Sequence, residues 1–440
     1  MAFQEVLPTI IERDHPENHG LSSQSLLTLL DRIERHKLEI NSFMLLQNGK
    51  ATAQFWRKPY RADAPQLLYS LSKSFTSIAV GIAWDNGLLG LHDPVISFFP
   101  DKLPDTISPN LASMTLHHLL SMNAGHHDNI YGAVTKERDW AKAFLAMEVE
   151  HEPGTHYRYS TPASYMLAAI LERVTRQSLV DFLMPRLFEP LGIGRPSWET
   201  CPLGITAGGM GLSLTTESIA KLGQLLLNRG TANGRRIVSE TYLAMATTEQ
   251  SDNRAGAERI DSAQGYGYQF HLCRNGCYRG DGAFGQLCLV APNENIVVVA
   301  TSAFSSMKPL QTLLDLLFEH VIGQASVFPP SSSARRLELQ QRLSAMACPV
   351  PQPGPASPDV IPVIDSPPTG WTTTRWGFGR SVWSRRTECL RFSLLTTIGR
   401  IRGWLWTLTG RRGSGICSSK TWPHTFRKLS FTQAGGIKAH

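Results

Sequence analysis

The sequence predicts an α/β fold of the α+β kind, one large antiparallel sheet flanked by helices plus a helical lobe. Three observations predict it. Strand patterns lie at both ends of the first 325 residues: two runs around Asn48-Gly49, and three more between Tyr266 and Ser302. From about Leu88 to Thr247 the chain reads instead as helical patterns separated by Pro and Gly. The 36 Gly and 27 Pro suit a loop-rich protein better than a helical bundle. One sheet built from both ends, with the middle as a separate lobe, is the economical arrangement. A cleft between the two is the natural place for a site.

The elements follow in order. Residues 24–36 read as a helix with Leu26, Leu27, Leu29, Leu30 and Ile33 on one side. The runs Ser42 to Gln47 and Ala51 to Trp56 are strands, and Asn48-Gly49 between them is a hairpin turn. A helix begins near Ser70 and ends at Asp85-Asn86-Gly87. Further helices are Ser164 to Thr175 and Ser218 to Asn228. Strand patterns return at Tyr266 to Cys273, Gln286 to Ala291 and Ile296 to Ser302, the last two joined by a turn at Pro292-Asn293-Glu294-Asn295. An amphipathic helix, Pro309 to Ile322, closes the domain.

Beyond it the character changes. Residues 326–365 read as a Pro/Ser-rich linker with a short helix at Ala334 to Met346. Residues 366–440 form a basic Trp/Arg-rich tail without period 2 or 3.6, expected to be disordered. From Ser366 onward 13 Lys plus Arg face one acid, Glu388, a net +12. The total of +7 therefore leaves −5 on the rest, so the high pI does not mark the main body as a nucleic-acid binder. RNA or membrane binding by the tail is set aside on the same lack of pattern.

Seven cysteines at irregular spacing argue against a disulfide framework and suit a reducing compartment. No basic-then-apolar leader opens the chain, and no window reaches about 18 uninterrupted apolar residues. The expectation is a cytoplasmic protein without a membrane span. Its partner is a small-molecule or peptide substrate, no nucleic acid is expected, and the oligomeric state is left open. No cofactor and no metal are expected. His117-His118 and His126-His127-Asp128 do not offer two ligands on one helical face, and read as helix end, turn and surface. Cys273 and Cys277 read as free thiols. A two-residue turn at Asn275-Gly276 would point them to opposite faces.

Three segments carry chemistry. In Tyr69-Ser70-Leu71-Ser72-Lys73, a lysine one helical turn after a serine can take its proton, which a serine nucleophile needs. At a helix start the Ser70 amide can also donate to an oxyanion. Alone, the motif reads rather as a capping serine with a solvated lysine. In Pro153 to Thr161, a tyrosine beside a lysine can act as a general base if cations lower its pKa, while Tyr157 reads as a packing residue. Gly280-Asp281-Gly282-Ala283-Phe284-Gly285-Gln286, read as a strand start, lets a substrate backbone come close; it also reads as a plain Gly-rich turn with a bulge.

The three together, in this order and spacing, resemble the β-lactamase and penicillin-binding-protein superfamily, and within it the class C-like, β-lactamase-related serine hydrolases. Leu119 to His126, Pro153-Gly154-Thr155 ahead of Tyr159-Ser160, Ala207-Gly208-Gly209-Met210 and Gly282 to Gly285 also resemble stretches of that family, so the likeness covers about residues 20–325. The resemblance implies a β-lactamase/transpeptidase-like domain over residues 1–325. It implies that Ser70 attacks an acyl carbonyl while Lys73 and Tyr159 move the protons. Thr161, Gly282 and Ala283 would bind substrate, the oxyanion lying between the amides of Ser70 and one near Ala283. Thr161 stands where the family usually has Asn, and Gly280-Asp281 stand where it usually has Lys or His. The implied function is hydrolysis of an ester or amide through a Ser70 acyl-enzyme. The alternative is a non-catalytic binding or scaffold protein that keeps the fold.

Overall fold

The computed structural model describes residues 11–255, 257–323 and 332–346, together with four short strands nearer the C-terminus. The chain divides into two compact units, Met1–Gly354 and Pro355–His440.

The first unit is built on a six-stranded antiparallel sheet. Its strands are β1 (Ile40–Gln47), β2 (Lys50–Trp56), β3 (His271–Leu272), β4 (Tyr278–Gly282), β5 (Gln286–Ala291) and β6 (Ile296–Ser302), in spatial order β2-β1-β6-β5-β4-β3. The N-terminal hairpin thus pairs with the last strand, Leu45 lying opposite Val298. The β1–β2 turn is the expected one: Asn48 (φ 49°) and Gly49 (φ 78°) both take the left-handed conformation that a tight hairpin needs.

Both faces of this sheet are covered, which explains why β6 reads as an uninterrupted apolar run, Ile-Val-Val-Val-Ala. Alternation assigns the faces. Ile296, Val298 and Ala300 join Phe43, Leu45, Leu287 and Leu289 in a core with helices α1 (Ser23–Arg35) and α5 (Lys308–His320). Val297, Val299, Met44 and Val290 join the opposite core with α2 (Ser72–Asp85), α3 (Thr161–Thr175) and α4 (Thr216–Leu227). Each fully buried Leu, Val or Ile contributes about 1.5–3 kcal/mol, so the two layers, not local propensity, hold the elements. The helical region between β2 and β3 is the expected lobe, and α2 is buried almost from end to end.

Two strand expectations are corrected. Tyr266 to Cys273 does not run as one strand: Gln269 takes φ 64°, only His271–Leu272 joins the sheet, and Tyr266 makes an isolated bridge to Ser251. The buried Gln269 side chain bonds the Leu119 and Leu120 carbonyls and Ser164, and that tertiary demand overrides the alternating pattern. The glycine-rich run is not a strand start either. Tyr278–Gly282 is itself a strand, and Ala283–Gly285 is the turn into β5, with Phe284 at φ 64°. The β3–β4 register also differs by one. With His271 opposite Arg279 and Leu272 opposite Tyr278, the loop is three residues, Arg274–Gly276. Cys273 and Cys277 therefore share one face, in the α1/α5 core, and both are free thiols.

The short helix expected within 326–365 is present as α6 (Ser333–Met346) and packs on α1, with Leu339 and Met346 buried and Arg342 paired to Asp31 and Glu34. In the second unit the described residues form two antiparallel ladders, Trp371–Trp376 with Arg380–Arg385 and Leu429–Phe431 with Ile437–Ala439. The other expectations for residues 366–440 lie outside the described residues. No helix among the described residues is long and apolar enough to cross a membrane.

Candidate active site

The site starts with a sharp turn. Tyr69 takes φ 49°, Tyr69–Leu71 forms one 3₁₀ turn, and α2 follows at once. The Ser72 hydroxyl pins this turn, donating to the Tyr69 carbonyl at 2.6 Å and accepting the Leu212 amide at 3.2 Å. Ser70 is left half-buried at the mouth of the helix, while Lys73, one turn on, is 1% exposed.

Lys73 Nζ lies 3.1 Å from Ser70 Oγ, 3.1 Å from Thr161 Oγ1 and 2.7 Å from the Gly209 carbonyl oxygen. Burial lowers its pKa to about 7, with the charge of Asp281 opposing the shift. A neutral lysine keeps two N–H donors and one lone pair. The Gly209 carbonyl can only accept and Thr161 can accept, which leaves the lone pair for the Ser70 hydroxyl. The Ala207-Gly208-Gly209 segment comes this close because it has no side chain at Gly209: a Cβ there would stand 2.9 Å from the Thr161 backbone oxygen. Thr161 is the first residue of α3, capped by Ser160, whose hydroxyl accepts from the Ala163 amide.

Tyr159 approaches from the other side. Its hydroxyl lies near enough to the Ser70 side chain for that neighbour to act on the phenol's pKa, and Lys73 Nζ lies 4.9 Å from the centre of its ring. Burial, and then the nearby Asp281 charge, push its pKa above the ordinary phenol range, so at neutral pH it holds its proton and is not the cation-lowered base that the sequence suggested. Tyr157 packs beside Tyr266, ring centres 5.5 Å apart.

The glycine-rich hairpin borders the same turn. A Cβ on Gly282 would meet the Leu68 carbonyl at 2.3 Å and the Leu71 amide at 3.1 Å, and one on Gly280 would meet Ser74 Oγ at 2.4 Å. Only glycine lets β4 run this close to the Ser70 turn and α2. Ala283 follows at the hairpin turn, half-buried, its carbonyl accepting from Gln286 Nε2 at 3.1 Å. Phe284, 46% exposed, meets Tyr69 edge-on at 4.9 Å and forms an apolar lip. Of the residues expected from the sequence, Ser70, Lys73, Tyr159 and Thr161 are thus joined by side-chain contacts. Gly282 joins them by backbone approach, and Ala283 is next in the chain.

Sequence reasoning missed His271. Its ring stacks on Tyr159 at 5.9 Å, and its Nε2 lies 3.7 Å from Asp281 Oδ1. Burial lowers its pKa to about 4, so it is neutral near pH 7. Asp281 bonds the buried Arg279 at 2.9 Å. Burial alone would raise the Asp281 pKa, yet His271 and Arg279 hold it below the usual carboxylate range. Arg279 also donates to the Asp261 carbonyl at 2.6 Å and to Cys273 Sγ at 3.0 Å. The sequence signal for His271 is an imidazole within the strand-patterned run Tyr266 to Cys273.

A family model described as Beta-lactamase matches residues 30–320 of the chain. The chain belongs to the beta-lactamase family. A relative, the 6-aminohexanoate-dimer hydrolase of Paenarthrobacter ureafaciens, is 26% identical over 326 residues, covering 68% of this chain and 83% of its own. Two solved structures show the beta-lactamase/transpeptidase fold at low identity. A putative 6-aminohexanoate-dimer hydrolase from Bacillus anthracis aligns with TM-score 0.58 and 18% identity, over 72% of this chain and 90% of that one. A family VIII carboxylesterase aligns with TM-score 0.53 and 18% identity, over 68% and 97%. The chain is thus a beta-lactamase-family hydrolase, similar in sequence to a protein named as a 6-aminohexanoate-dimer hydrolase and in fold to a carboxylesterase.

Proposed function

We propose that the protein hydrolyses a carboxylic ester or a linear amide through an acyl-enzyme on Ser70. The observation that carries this reading is the 3.1 Å contact between Lys73 Nζ and Ser70 Oγ, made by a lysine whose pKa burial lowers to about 7. Lys73 takes the Ser70 proton as Oγ attacks the acyl carbon. The oxyanion is stabilised by the amides of Ser70 and Ala283, at the junction of the Ser70 turn and the glycine-rich hairpin. As the bond to the leaving group breaks, the Tyr159 hydroxyl protonates the departing oxygen or nitrogen and recovers a proton from Lys73. A water molecule then attacks the ester of Ser70, giving its proton to the same Lys73–Tyr159 pair; the pair returns a proton to Ser70 Oγ as the acyl–oxygen bond breaks, and the carboxylic acid leaves. Thr161 and Gly209 hold Lys73 in place.

The relatives support the substrate class: one is named for hydrolysis of a 6-aminohexanoate dimer and one is a carboxylesterase. The apolar lip of Tyr69 and Phe284 suits a substrate with a hydrophobic part beside the acyl carbon. The test is pre-steady-state hydrolysis of short p-nitrophenyl esters. The reading expects a burst of about one p-nitrophenol per chain, followed by slower turnover, and no burst in Ser70→Ala. Ester hydrolysis that persists at the same rate in Ser70→Ala would overturn it.

A further inference from the structure

Three imidazoles from two loops converge away from the serine. His127 Nδ1 lies 2.9 Å from His151 Nε2, and the His156 ring stacks on His151 with centres 4.2 Å apart and on His127 at 5.7 Å. One nitrogen of each ring lies within 4.8 Å of the other two. In a tetrahedral zinc site, with nitrogens at about 2.0–2.1 Å, ligand atoms stand roughly 3.4 Å apart. Side-chain rotations therefore suffice to close the set around one ion.

The backbone that carries these rings is held firmly. The His151 amide donates to the Gly125 carbonyl at 2.9 Å, the Gly154 amide to Asn123 at 2.9 Å and the Arg158 amide to Met122 at 2.8 Å, so the two loops run as a pair. Gly125 (φ 92°) makes the pairing possible, because a Cβ there would meet the His151 carbonyl oxygen at 2.4 Å. The charges nearby also favour a cation. Glu150 accepts the His127 amide at 3.1 Å, and the adjacent guanidinium of Arg158 faces Asp128 at 3.5 Å. A structure that gathered three basic rings for packing alone would gain little, since two are half-buried and His127 is exposed.

We infer that His127, His151 and His156 form a binding site for one zinc ion, or a divalent ion of similar chemistry, with water in the fourth position. The ion bridges the 125–128 and 150–156 loops, and the second of these continues directly into Tyr159 and Ser160. Its consequence is mechanical: the bound ion fixes the loop that presents Tyr159. The partners of His127 come from 24 and 29 residues further along the chain, so neighbouring positions in the sequence do not show the cluster.

The test uses the full chain, stripped of metal with a chelator and equilibrated with Zn²⁺, and metal content is measured after dialysis. The inference expects one zinc per chain in the wild type and in the exposed-histidine control His92→Ala. His127→Ala/His151→Ala should hold one equivalent less. Zn²⁺ should also raise the melting temperature of the wild type and leave that of the double variant unchanged. A second measurement needs no substitution. Modification of the unaltered protein by diethylpyrocarbonate, mapped by mass spectrometry, should be blocked by Zn²⁺ at His127, His151 and His156 and unaffected at His92. Absence of zinc uptake by the wild type would overturn the inference. So would equal uptake by wild type and double variant, or unprotected histidines at all three positions.

Discussion

Lys73 Nζ stands 3.1 Å from Ser70 Oγ while the Gly209 carbonyl, which can only accept, holds the same nitrogen at 2.7 Å. With its pKa lowered to about 7 by burial, Lys73 gains its base form as pH rises through that value. The account therefore expects kcat/KM for an ester to rise with an apparent pKa of about 7 and to level off above it. Lys73→Ala should lower kcat/KM by about 10²–10⁴-fold. An acid limb set by a group near pH 4–5 would instead point to a carboxylate base.

Asp281 supplies a second test with a defined sign. Its negative charge opposes the lowering of the Lys73 pKa and helps to raise that of Tyr159. Asp281→Asn removes that charge and leaves Arg279 unbalanced, and both changes disfavour the lysine cation. The acid limb of the pH–rate profile should shift to lower pH. Breaking the buried pair should also cost stability, about 3–5 kcal/mol, measurable by denaturant titration. A limb that stayed in place or moved upward would contradict the electrostatic argument.

Gly280→Ala probes packing. The added methyl carbon would stand 2.4 Å from Ser74 Oγ and 2.6 Å from Leu71 Cδ1. Pushing β4 away from α2 should destabilise by about 1–3 kcal/mol in thermal or denaturant melts. It should also lower esterase activity, because Gly282 rides on the same strand beside the Ser70 turn. Full stability and full activity in this variant would mean that the strand tolerates displacement.

Substrate preference follows from the charges at the hairpin. Arg279 is buried against Asp281, the Asp261 carbonyl and Cys273, and His271 is neutral near pH 7, so neither offers a free cation to a substrate carboxylate. Short p-nitrophenyl esters should therefore show a higher kcat/KM than nitrocefin. The opposite ranking would assign the carboxylate anchor to Arg259, which donates to the Met307 carbonyl at 3.1 Å and comes from a neighbouring loop.

Local signals and tertiary demands explain how much the sequence showed. The Asn48-Gly49 turn, α1, the apolar α2 behind Ser70 and the covered strand β6 were legible because turn chemistry and periodicity are local. Ser70, Lys73, Tyr159 and Thr161 were legible as a set through the order and spacing of their motifs, and the structure joins them by contact. The strand expected from Tyr266 to Cys273 failed because Gln269 turns inward to bond Leu119, Leu120 and Ser164, partners more than 100 residues away. The same turn brings His271 against Tyr159. The Cys273 and Cys277 register failed because one added loop residue moves a strand's side chains to the other face.

The most direct test of the account is covalent labelling at one serine. The full chain, treated with a fluorophosphonate, digested and read by tandem mass spectrometry, should carry a single active-site adduct on the peptide containing Ser70. Ser70→Ala should carry none, and Lys73→Ala should label much more slowly. An adduct on any other serine, or a Ser70 that stays unmodified while the protein hydrolyses esters, would contradict the assignment of Ser70 as the nucleophile.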